Sequence, residues 1–342
     1  MPLTESANKI EKAKEFKFAK FRFYLRPLEK IYLPHYKGSA LRGGFGNIFK
    51  KTVCMNNKRE CNECILQERC VYLYILETPL SQNLLEKSKF KLKRPPHPYV
   101  LEPPITSKIE YNHDDELAFN LILIGRGIEY LPYFVFIFEE LGKKGIGKGR
   151  GKYELVRVDN EEGGRIYESG KLSDNFKIKS FQDIINEYNF AESKNFKWVK
   201  INFLTPVRVI LRGELTIKFD FKLFVTNLLR RISWLSIVHS DEELNYNYKY
   251  FISCAEDIKI KERNIKWYDW ERYSSRQNTR MKLGGFVGNI TFEGDLKEFL
   301  PFVKLGEYIH IGKQTSFGLG KYEIVGRFDY EENSYPFCGW LS

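Results

Sequence analysis

Near its end the chain reads Gly312-Lys313-Gln314-Thr315-Ser316-Phe317-Gly318-Leu319-Gly320-Lys321-Tyr322-Glu323-Ile324, a glycine-rich loop over residues 312–320 that leads into a short strand. The glycines allow the backbone to approach a ligand closely or to turn with positive φ. Polar side chains in the loop can donate hydrogen bonds to phosphate oxygens, and those that we expect to do so are Lys313, Gln314, Thr315 and Ser316. A glycine loop alone is weak evidence for phosphate binding, because such loops also form simple turns.

The same pattern occurs a second time, half a chain earlier. The segment GRGKYELV at residues 149–156 matches residues 318–325 at six of eight positions, with an offset of 169 residues. The same offset, without a gap, also pairs Asn120 with Asn289, Gly125 with Gly294, Lys144 with Lys313, and residues 129–132 (EYLP) with residues 298–301 (EFLP). This period is too long for a short-repeat solenoid, so we predict two related domains in tandem.

Length and charge narrow the class of protein. The 342 residues favour two domains, each large enough for its own core. A net charge of +11 indicates a polyanionic partner, either nucleic acid or a membrane surface. No apolar run reaches transmembrane length, and residues 1–15 lack an apolar signal core, so we expect a cytoplasmic protein. The basic residues fall in loops and strands rather than on an amphipathic helix, which argues against a membrane partner.

The first domain is predicted to open with a strand and a glycine-bearing helix. Residues 16–25 (FKFAKFRFYL) alternate aromatic and basic side chains, the period of a strand with one buried face. Residues 33–51 (LPHYKGSALRGGFGNIFKK) place apolar residues at helical spacing, with Arg42 on a basic side. Each glycine inside a helix costs about 1 kcal/mol relative to alanine. The glycines therefore indicate close packing against the helix, by the protein's own sheet or by an RNA backbone.

Four cysteines follow this helix at the spacing C-x6-C-x2-C-x5-C: Cys54, Cys61, Cys64 and Cys70. The C-x2-C half is the specific part, because two thiolates from one tight turn reach a single metal. The spacing predicts a structural zinc or iron–sulfur cluster and does not decide between them. The alternative is four free buried thiols.

Two further segments combine positive charge with features of nucleic-acid binding. Residues 142–152 carry five basic side chains and no acidic one, which suits either a phosphate clamp or a solvated loop; the predicted contacts are Lys144, Lys148 and Arg150. Residues 267–280 (WYDWERYSSRQNTR) mix aromatic rings with arginines, including Arg276 and Arg280. That mixture suits a stacking surface for RNA, although packing between domains uses it too.

The second half repeats the order of the first. Residues 197–210 read as a strand, Asp220 as the N-cap of a long helix, residues 249–266 as a strand pair, residues 284–292 as a strand and residues 296–303 as a helix. Each half thus gives the ferredoxin-like order βαββαβ, an α+β fold shared with many RNA-recognition domains. We predict domains at residues 1–175, with a cysteine-rich insertion at about 52–104, and at residues 176–342.

The chain resembles a known family at both ends. Residues 33–51, the cysteine set and residues 71–79 (VYLYILETP) resemble the N-terminal half of CRISPR repeat-processing endoribonucleases of the RAMP superfamily. Residues 284–324 resemble the superfamily's signature glycine loop and its lead-in. The resemblance implies a CRISPR antiviral protein that cuts precursor CRISPR RNA within its repeats without a catalytic metal. The ribose 2′-hydroxyl would attack the adjacent phosphate, leaving 2′,3′-cyclic phosphate and 5′-hydroxyl ends.

This chemistry needs a base, an acid and a cation. The resemblance implies that they come from His, Tyr, Lys or Arg near the first helix or the glycine loop. His35, Tyr36 and Lys37 place such groups side by side just before the helix and are the first choice; His310, directly before the glycine loop, is the alternate. The place of Asn47 often holds histidine in the family. The chain is therefore either an endoribonuclease whose catalysis has moved to His35, or a non-catalytic subunit that binds CRISPR RNA within a larger complex of other CRISPR effector subunits.

Overall fold

A computed structural model describes residues 10–55, 61–79, 95–189, 197–240, 242–274 and 279–327. Its strands are β1 (Lys17–Pro27), β2 (Ile31–Tyr32), β3 (Tyr99–Glu102), β4 (Glu110–Tyr111), β5 (Leu117–Ile124), β6 (Tyr153–Asn160), β7 (Arg165–Glu168), β8 (Lys171–Leu172), β9 (Lys179–Ser180), β10 (Trp198–Val207), β11 (Ile210–Leu211), β12 (Glu214–Leu215), β13 (Lys259–Tyr268), β14 (Glu271–Ser274), β15 (Thr279–Lys282), β16 (Gly285–Glu293) and β17 (Tyr322–Arg327). Its α-helices are α1 (Gly38–Val53), α2 (Leu131–Lys144), α3 (Phe181–Asn189), α4 (Phe221–His239), α5 (Tyr248–Cys254) and α6 (Leu300–Ile309).

The first domain is built on a sheet with strand order β3-β5-β1-β6-β7-β8, in which neighbouring strands are antiparallel. Alternate residues of β1, including Phe21 and Phe23, are fully buried against the core that α1 and α2 complete. The order of β1, α1, β3, β5, α2 and β6 along the chain is βαββαβ. The central strand order 2-3-1-4 that results is that of a ferredoxin-like domain.

The second domain repeats this topology. Its sheet has the order β13-β16-β10-β17, again antiparallel, with α4 after its first strand and α6 after its third. The Asp220 carboxylate accepts a hydrogen bond from the Leu223 amide at 2.7 Å, as expected for the N-cap of α4. The predicted α+β fold of two tandem ferredoxin-like domains is confirmed.

Equivalent tyrosines close the two domains in the same way. Tyr153 and Tyr322 are partners in the internal repeat and begin β6 and β17. The Tyr153 hydroxyl donates to the Phe138 carbonyl at 2.8 Å, and the Tyr322 hydroxyl donates to the Val303 carbonyl at 2.7 Å. In each domain this bond connects the last strand of the βαββαβ unit to the helix that precedes it. The copies differ in helix length, since α2 runs to Lys144 whereas α6 ends at Ile309.

One sequence-based expectation was half wrong. Residues 249–266 were expected to form a strand pair, but the helix α5 occupies the first part and only β13 is a strand. The Asn247 side chain accepts a hydrogen bond from the Tyr250 amide at 3.1 Å. This N-cap starts a helix where the short alternation of residue types was ambiguous.

The two domains share apolar packing. Phe18, Val100 and Ile122 from the first sheet belong to the same buried cluster as the core of the second domain. The segment across the predicted boundary at 175–176 also touches both domains, because β9 pairs with β1 and α3 packs on α6. The exact boundary stays a prediction. Within the described part of the chain, no helix has the length and apolar character needed to cross a membrane.

Candidate nucleic-acid interface at the glycine loop

The second glycine loop is held in shape by its own backbone. The Ile311 amide donates to the Gly320 carbonyl at 3.0 Å, and the Gly320 amide donates to the Pro206 carbonyl at 3.1 Å. Residues Thr315–Phe317 form a single 3-10 turn, which Gly318 ends with a φ of 83°. Its repeat partner Gly149 has a φ of 84°, so the two loops turn alike at this point.

The loop rests directly on the first domain. A Cβ atom on Gly38, the first residue of α1, would lie 2.0 Å from the Phe317 carbonyl oxygen. A Cβ on Gly318 would lie 2.5 Å from the Leu101 carbonyl oxygen, where β3 passes the loop. Both positions thus require glycine, because the two backbones touch. Of the alternatives for α1, packing within the protein accounts for Gly38 and also for Gly44, whose Cβ would meet the Leu141 side chain at 2.9 Å.

Tyr36 joins the start of α1 to this loop. Its hydroxyl donates to the Phe317 carbonyl at 2.8 Å, and its ring packs on Trp270 with the ring centres 4.5 Å apart. Burial raises the pKa of Tyr36 well above its ordinary value. The Tyr36 hydroxyl is therefore a neutral donor that is already in use.

The neighbours of Tyr36 differ in exposure. The Lys37 ammonium is buried and donates to the Thr106 carbonyl at 2.8 Å and the His35 carbonyl at 3.2 Å, and burial lowers its pKa. His35 is exposed. Lys37 thus fixes the backbone that presents the His35 side chain to solvent.

The first glycine loop touches the same segment from its other end. The Lys148 amide donates to the Tyr32 carbonyl at 2.9 Å, and a Cβ on Gly147 would lie 2.1 Å from that carbonyl oxygen. One loop therefore bonds Tyr32 and the other bonds Tyr36, and His35 lies between these two contacts in the chain. The internal repeat brings both predicted phosphate-contacting loops to one short segment.

The predicted RNA contacts differ in exposure. The exposed ones are Lys144, Lys148, Arg150 and Lys313. Gln314 is half-buried, and Thr315 and Ser316 are buried. Arg42 is half-buried, with its guanidinium 5.3 Å from the centre of the Phe317 ring. Arg276 lies outside the described residues, and only the backbone of Arg280, in β15, is described.

His310 lies at the centre of a buried polar cluster between the domains. Its Nε2 is 2.9 Å from Glu102 Oε1, and its Nδ1 is 3.1 Å from the Leu319 carbonyl oxygen. Glu102 Oε2 also faces the Lys321 ammonium at 3.0 Å, the Asn120 amide nitrogen at 2.8 Å and the Lys20 ammonium at 3.5 Å. His310 and Glu102 are 0% and 1% exposed, so neither can touch RNA in this arrangement.

Opposing effects act on the pKa values of this pair. Burial lowers the pKa of His310, and the hydrogen bond to Glu102 acts in the opposite direction. Burial also disfavours the ionised carboxylate of Glu102, but the bond from His310 and the nearby lysines hold the pKa of Glu102 well below its ordinary value. Sequence reasoning missed Glu102. Its only signal was a single acid at the end of an apolar strand, before two prolines.

The four cysteines are all half-buried and follow α1 in a segment that contains the short 3-10 helices Cys61–Glu63 and Gln67–Arg69. Burial raises the pKa of Cys61, and Cys54 and Cys70 are near enough to add to that effect. Cys54 and Cys70 thus lie within electrostatic range of Cys61. Among the described residues, however, no three Cys, His, Asp or Glu side chains converge closely enough to hold a metal ion.

Comparisons with known proteins cover both domains. A family model described as an N-terminal domain matches residues 16–180, and the model for CRISPR-associated endoribonuclease Cas6 matches residues 201–322. An uncharacterised protein of Archaeoglobus fulgidus is 25% identical over 304 residues, covering 86% of this chain and 93% of that protein.

Solved structures share the fold at low sequence identity. A Cas6 product complex has a TM-score of 0.53 and 18% identity, covering 90% of this chain and 99% of that chain. Thermus thermophilus Cas6 has a TM-score of 0.50 and 16% identity, covering 91% and 99%. A partial Cas6-RT-Cas1–Cas2 complex has a TM-score of 0.58 and 11% identity, covering 94% of this chain and 48% of that one.

Proposed function

We propose that the chain is a CRISPR-associated repeat-processing protein of the Cas6 type in the RAMP superfamily, and that it cuts precursor CRISPR RNA by attack of a ribose 2′-hydroxyl on the adjacent phosphate. One observation supports this most. Both glycine loops bond the short segment that carries the exposed His35, at Tyr32 and at Tyr36. An RNA backbone lying on these loops would therefore pass close to a titratable side chain.

In this proposal His35 is the base. It takes the proton of the 2′-hydroxyl while the 2′-oxygen bonds to phosphorus, the bond from phosphorus to the 5′-oxygen breaks, and the leaving oxygen takes a proton from water. Lys313, exposed on the second loop, offers positive charge to the crowded phosphate. Tyr36 and Lys37 act through their bonds to the Phe317 and His35 carbonyls, which hold the loop and the histidine in place. His310 is a poor base here because it is fully buried.

The test is cleavage of a labelled repeat RNA in EDTA, beside the same RNA with a 2′-deoxy nucleotide at the cut position. We expect the all-ribose RNA to be cut, leaving a 2′,3′-cyclic phosphate, and the deoxy RNA to bind intact. His35→Ala should lower the cleavage rate about 100-fold or more, the usual contribution of a general base. His113→Ala, at another exposed histidine, is the matched control and should leave the rate unchanged. Cutting of the deoxy RNA would refute the 2′-hydroxyl mechanism.

A second candidate function is a non-catalytic subunit that holds CRISPR RNA beside other CRISPR proteins. The bonded states of Tyr36 and Lys37 favour it, because two of the three predicted catalytic groups are held by backbone carbonyls. In that case both RNAs would bind with equal affinity, neither would be cut, and His35→Ala would change the affinity alone.

We also propose that the four-cysteine segment holds a structural zinc ion or iron–sulfur cluster. Four thiols are a donor set that suits either group. Cys54 and Cys70 lie within electrostatic range of Cys61, which supports this, and among the described residues the side chains do not form a complete ligand set. Elemental analysis and the absorption spectrum of the purified protein decide between zinc and iron. Cys61→Ser with Cys64→Ser should release the metal, whereas Cys254→Ser, at an isolated cysteine, should retain it.

A further inference from the structure

The backbone of His310 has a conformation that residues other than glycine rarely adopt. It follows the last residue of α6 with a φ of 62°. A residue other than glycine is strained at such a φ and persists there only where its surroundings fix it. Helices commonly place glycine at this point. The position holds histidine instead, which indicates that the imidazole has a specific task.

The internal repeat shows that the glycine turn itself does not need this histidine. The offset of 169 residues places Leu141 at the equivalent position of the first domain, within α2. The first loop nevertheless makes its turn at Gly149 with nearly the φ of Gly318. The task of His310 therefore belongs to the second copy, where the loop leans on the other domain.

The hydrogen-bond partners specify the protonation state of the imidazole. Nδ1 faces the Leu319 carbonyl and Nε2 faces the Glu102 carboxylate, and both oxygens can only accept. A neutral imidazole has one N–H and would turn a lone pair toward one of these oxygens, which lie in a buried site. An imidazolium satisfies both.

The groups around Glu102 keep the proton off the carboxylate. Lys321, Asn120 and Lys20 all direct donors at its Oε2, at 3.0, 2.8 and 3.5 Å. These donors favour the ionised form of Glu102. The positive charge of Lys321 acts against a charged His310, whereas the adjacent carboxylate favours it. Because the geometry leaves an imidazolium as the only form with both bonds made, we take the bonded ion pair to outweigh burial.

We propose that Glu102 and a protonated His310 form a positioning pair that holds the second glycine loop against the first domain. Glu102 belongs to β3, one residue after the Leu101 carbonyl on which Gly318 rests. His310 is bonded both to Glu102 and to the Leu319 carbonyl, so it connects β3 to the loop. The pair acts on the loop whatever ligand the loop binds, and its effect on RNA cleavage rests on the proposed function.

The first test is nitrogen-15 NMR of the histidine rings in the full-length protein at pH 7, with the His310 signals assigned by their loss in His310→Gln. We expect both ring nitrogens of His310 to be protonated. A neutral His310 with one bare nitrogen would overturn the proposal, and this measurement needs only the wild-type fold.

The second test is amide hydrogen exchange of Glu102→Gln, which keeps the shape of the side chain and removes its charge. We expect exchange in residues 311–320 to rise about tenfold or more, as the loop detaches locally. Residues 142–152, the equivalent loop of the first domain, serve as the internal control and should not change. Glu323→Gln, which alters a pair with Asn202 inside the second domain at 3.1 Å, should change neither loop. Unaltered protection of residues 311–320 in Glu102→Gln would also overturn the proposal.

The third test concerns the reaction. If the wild type cuts repeat RNA, Glu102→Gln should lower kcat about tenfold or more with little change in KM, because a displaced loop misaligns bound RNA. An unchanged kcat together with faster loop exchange would show that the pair holds the loop but does not serve the reaction. If the wild type does not cut RNA, the proposed function fails, and the first two tests still decide the positioning pair.

Discussion

Single residues decide how closely the two domains meet. Gly38 and Gly318 allow backbone-to-backbone contacts between the second glycine loop and the first domain. The sequence shows that glycines are present, and it indicates that something packs close to α1. It cannot show which glycine is touched, because the touching atoms belong to residues more than 200 positions away along the chain.

Gly38→Ala tests this contact. The new methyl group would lie 2.0 Å from the Phe317 carbonyl oxygen, so the loop must shift. Overpacking of this kind typically costs about 1–3 kcal/mol, and we expect a loss of that size in the free energy of unfolding measured with urea. RNA cleavage should fall as well, because the loop moves away from Tyr36.

The control for this change is Gly43→Ala in the same helix, where the new Cβ meets nothing within 4 Å. Alanine favours a helix over glycine by roughly 0.5–1 kcal/mol, so this variant should be slightly more stable than the wild type. Equal stability of the two variants would show that the loop does not rest on Gly38.

The roles of the histidines could be predicted only in part. The exposure of His35 follows from its place in the short link between β2 and α1. The burial of His310 does not, because the carboxylate that pairs with it lies on β3 of the other domain. The sequence around His310 does not indicate a partner that lies so far away along the chain.

At the scale of elements, the hydrophobic period and the internal repeat predicted most of the strands and helices correctly. The failure at α5 came from a helix of seven residues, too short for its period to differ clearly from that of a strand. The capping side chain of Asn247 was the signal available there. His239, the last residue of α4, is fully buried against the first domain.

His239 predicts a pH dependence of stability. Its Nε2 is 2.9 Å from the Pro96 carbonyl oxygen and its Nδ1 is 3.0 Å from the Tyr74 hydroxyl, a set that a neutral ring satisfies. Burial lowers the pKa of His239 to about 4. The unfolded chain, with a pKa near 6.5, then binds the extra proton first, so stability is full above about pH 6.5 and falls as the pH drops toward 4. The loss should reach about 3 kcal/mol.

The measurement is urea unfolding between pH 7.5 and 4, with wild type compared against His239→Gln. The variant should be less stable at pH 7 and should show a shallower fall, since the titrating group is gone. His113→Gln, at an exposed position, should follow the wild-type curve. Parallel curves for wild type and His239→Gln would contradict the buried neutral state.

At the scale of the whole molecule, the duplicated fold brings positively charged side chains from both domains to the same segment of the chain. The exposed cations Lys148, Arg150 and Lys313 lie on the two equivalent loops, which flank the segment carrying His35. Composition alone predicted a polyanionic partner. It could not show that loops from different domains meet the same segment, because that depends on how the two sheets are joined.

Salt dependence tests this arrangement. The affinity for repeat RNA should fall as salt rises, with a log–log slope of about −0.7 to −0.9 for each phosphate contact. Replacing Lys148, Arg150 or Lys313 by methionine should each make the slope shallower by about one contact. Lys152→Met is the matched control, because this lysine is paired with Glu29 at 3.3 Å and should change the slope less. A slope unaffected by all of these changes would exclude the loops as phosphate contacts.

The bond from Tyr36 to Phe317 spans 281 residues of chain, and this distance sets a delay during synthesis. At about 5–20 residues per second, roughly 15–60 seconds separate the appearance of these two residues at the ribosome. For that interval the segment with His35 exists without the loop that completes its surroundings. Under the proposed function, a nascent chain therefore acquires its complete site only when almost all of it has been translated.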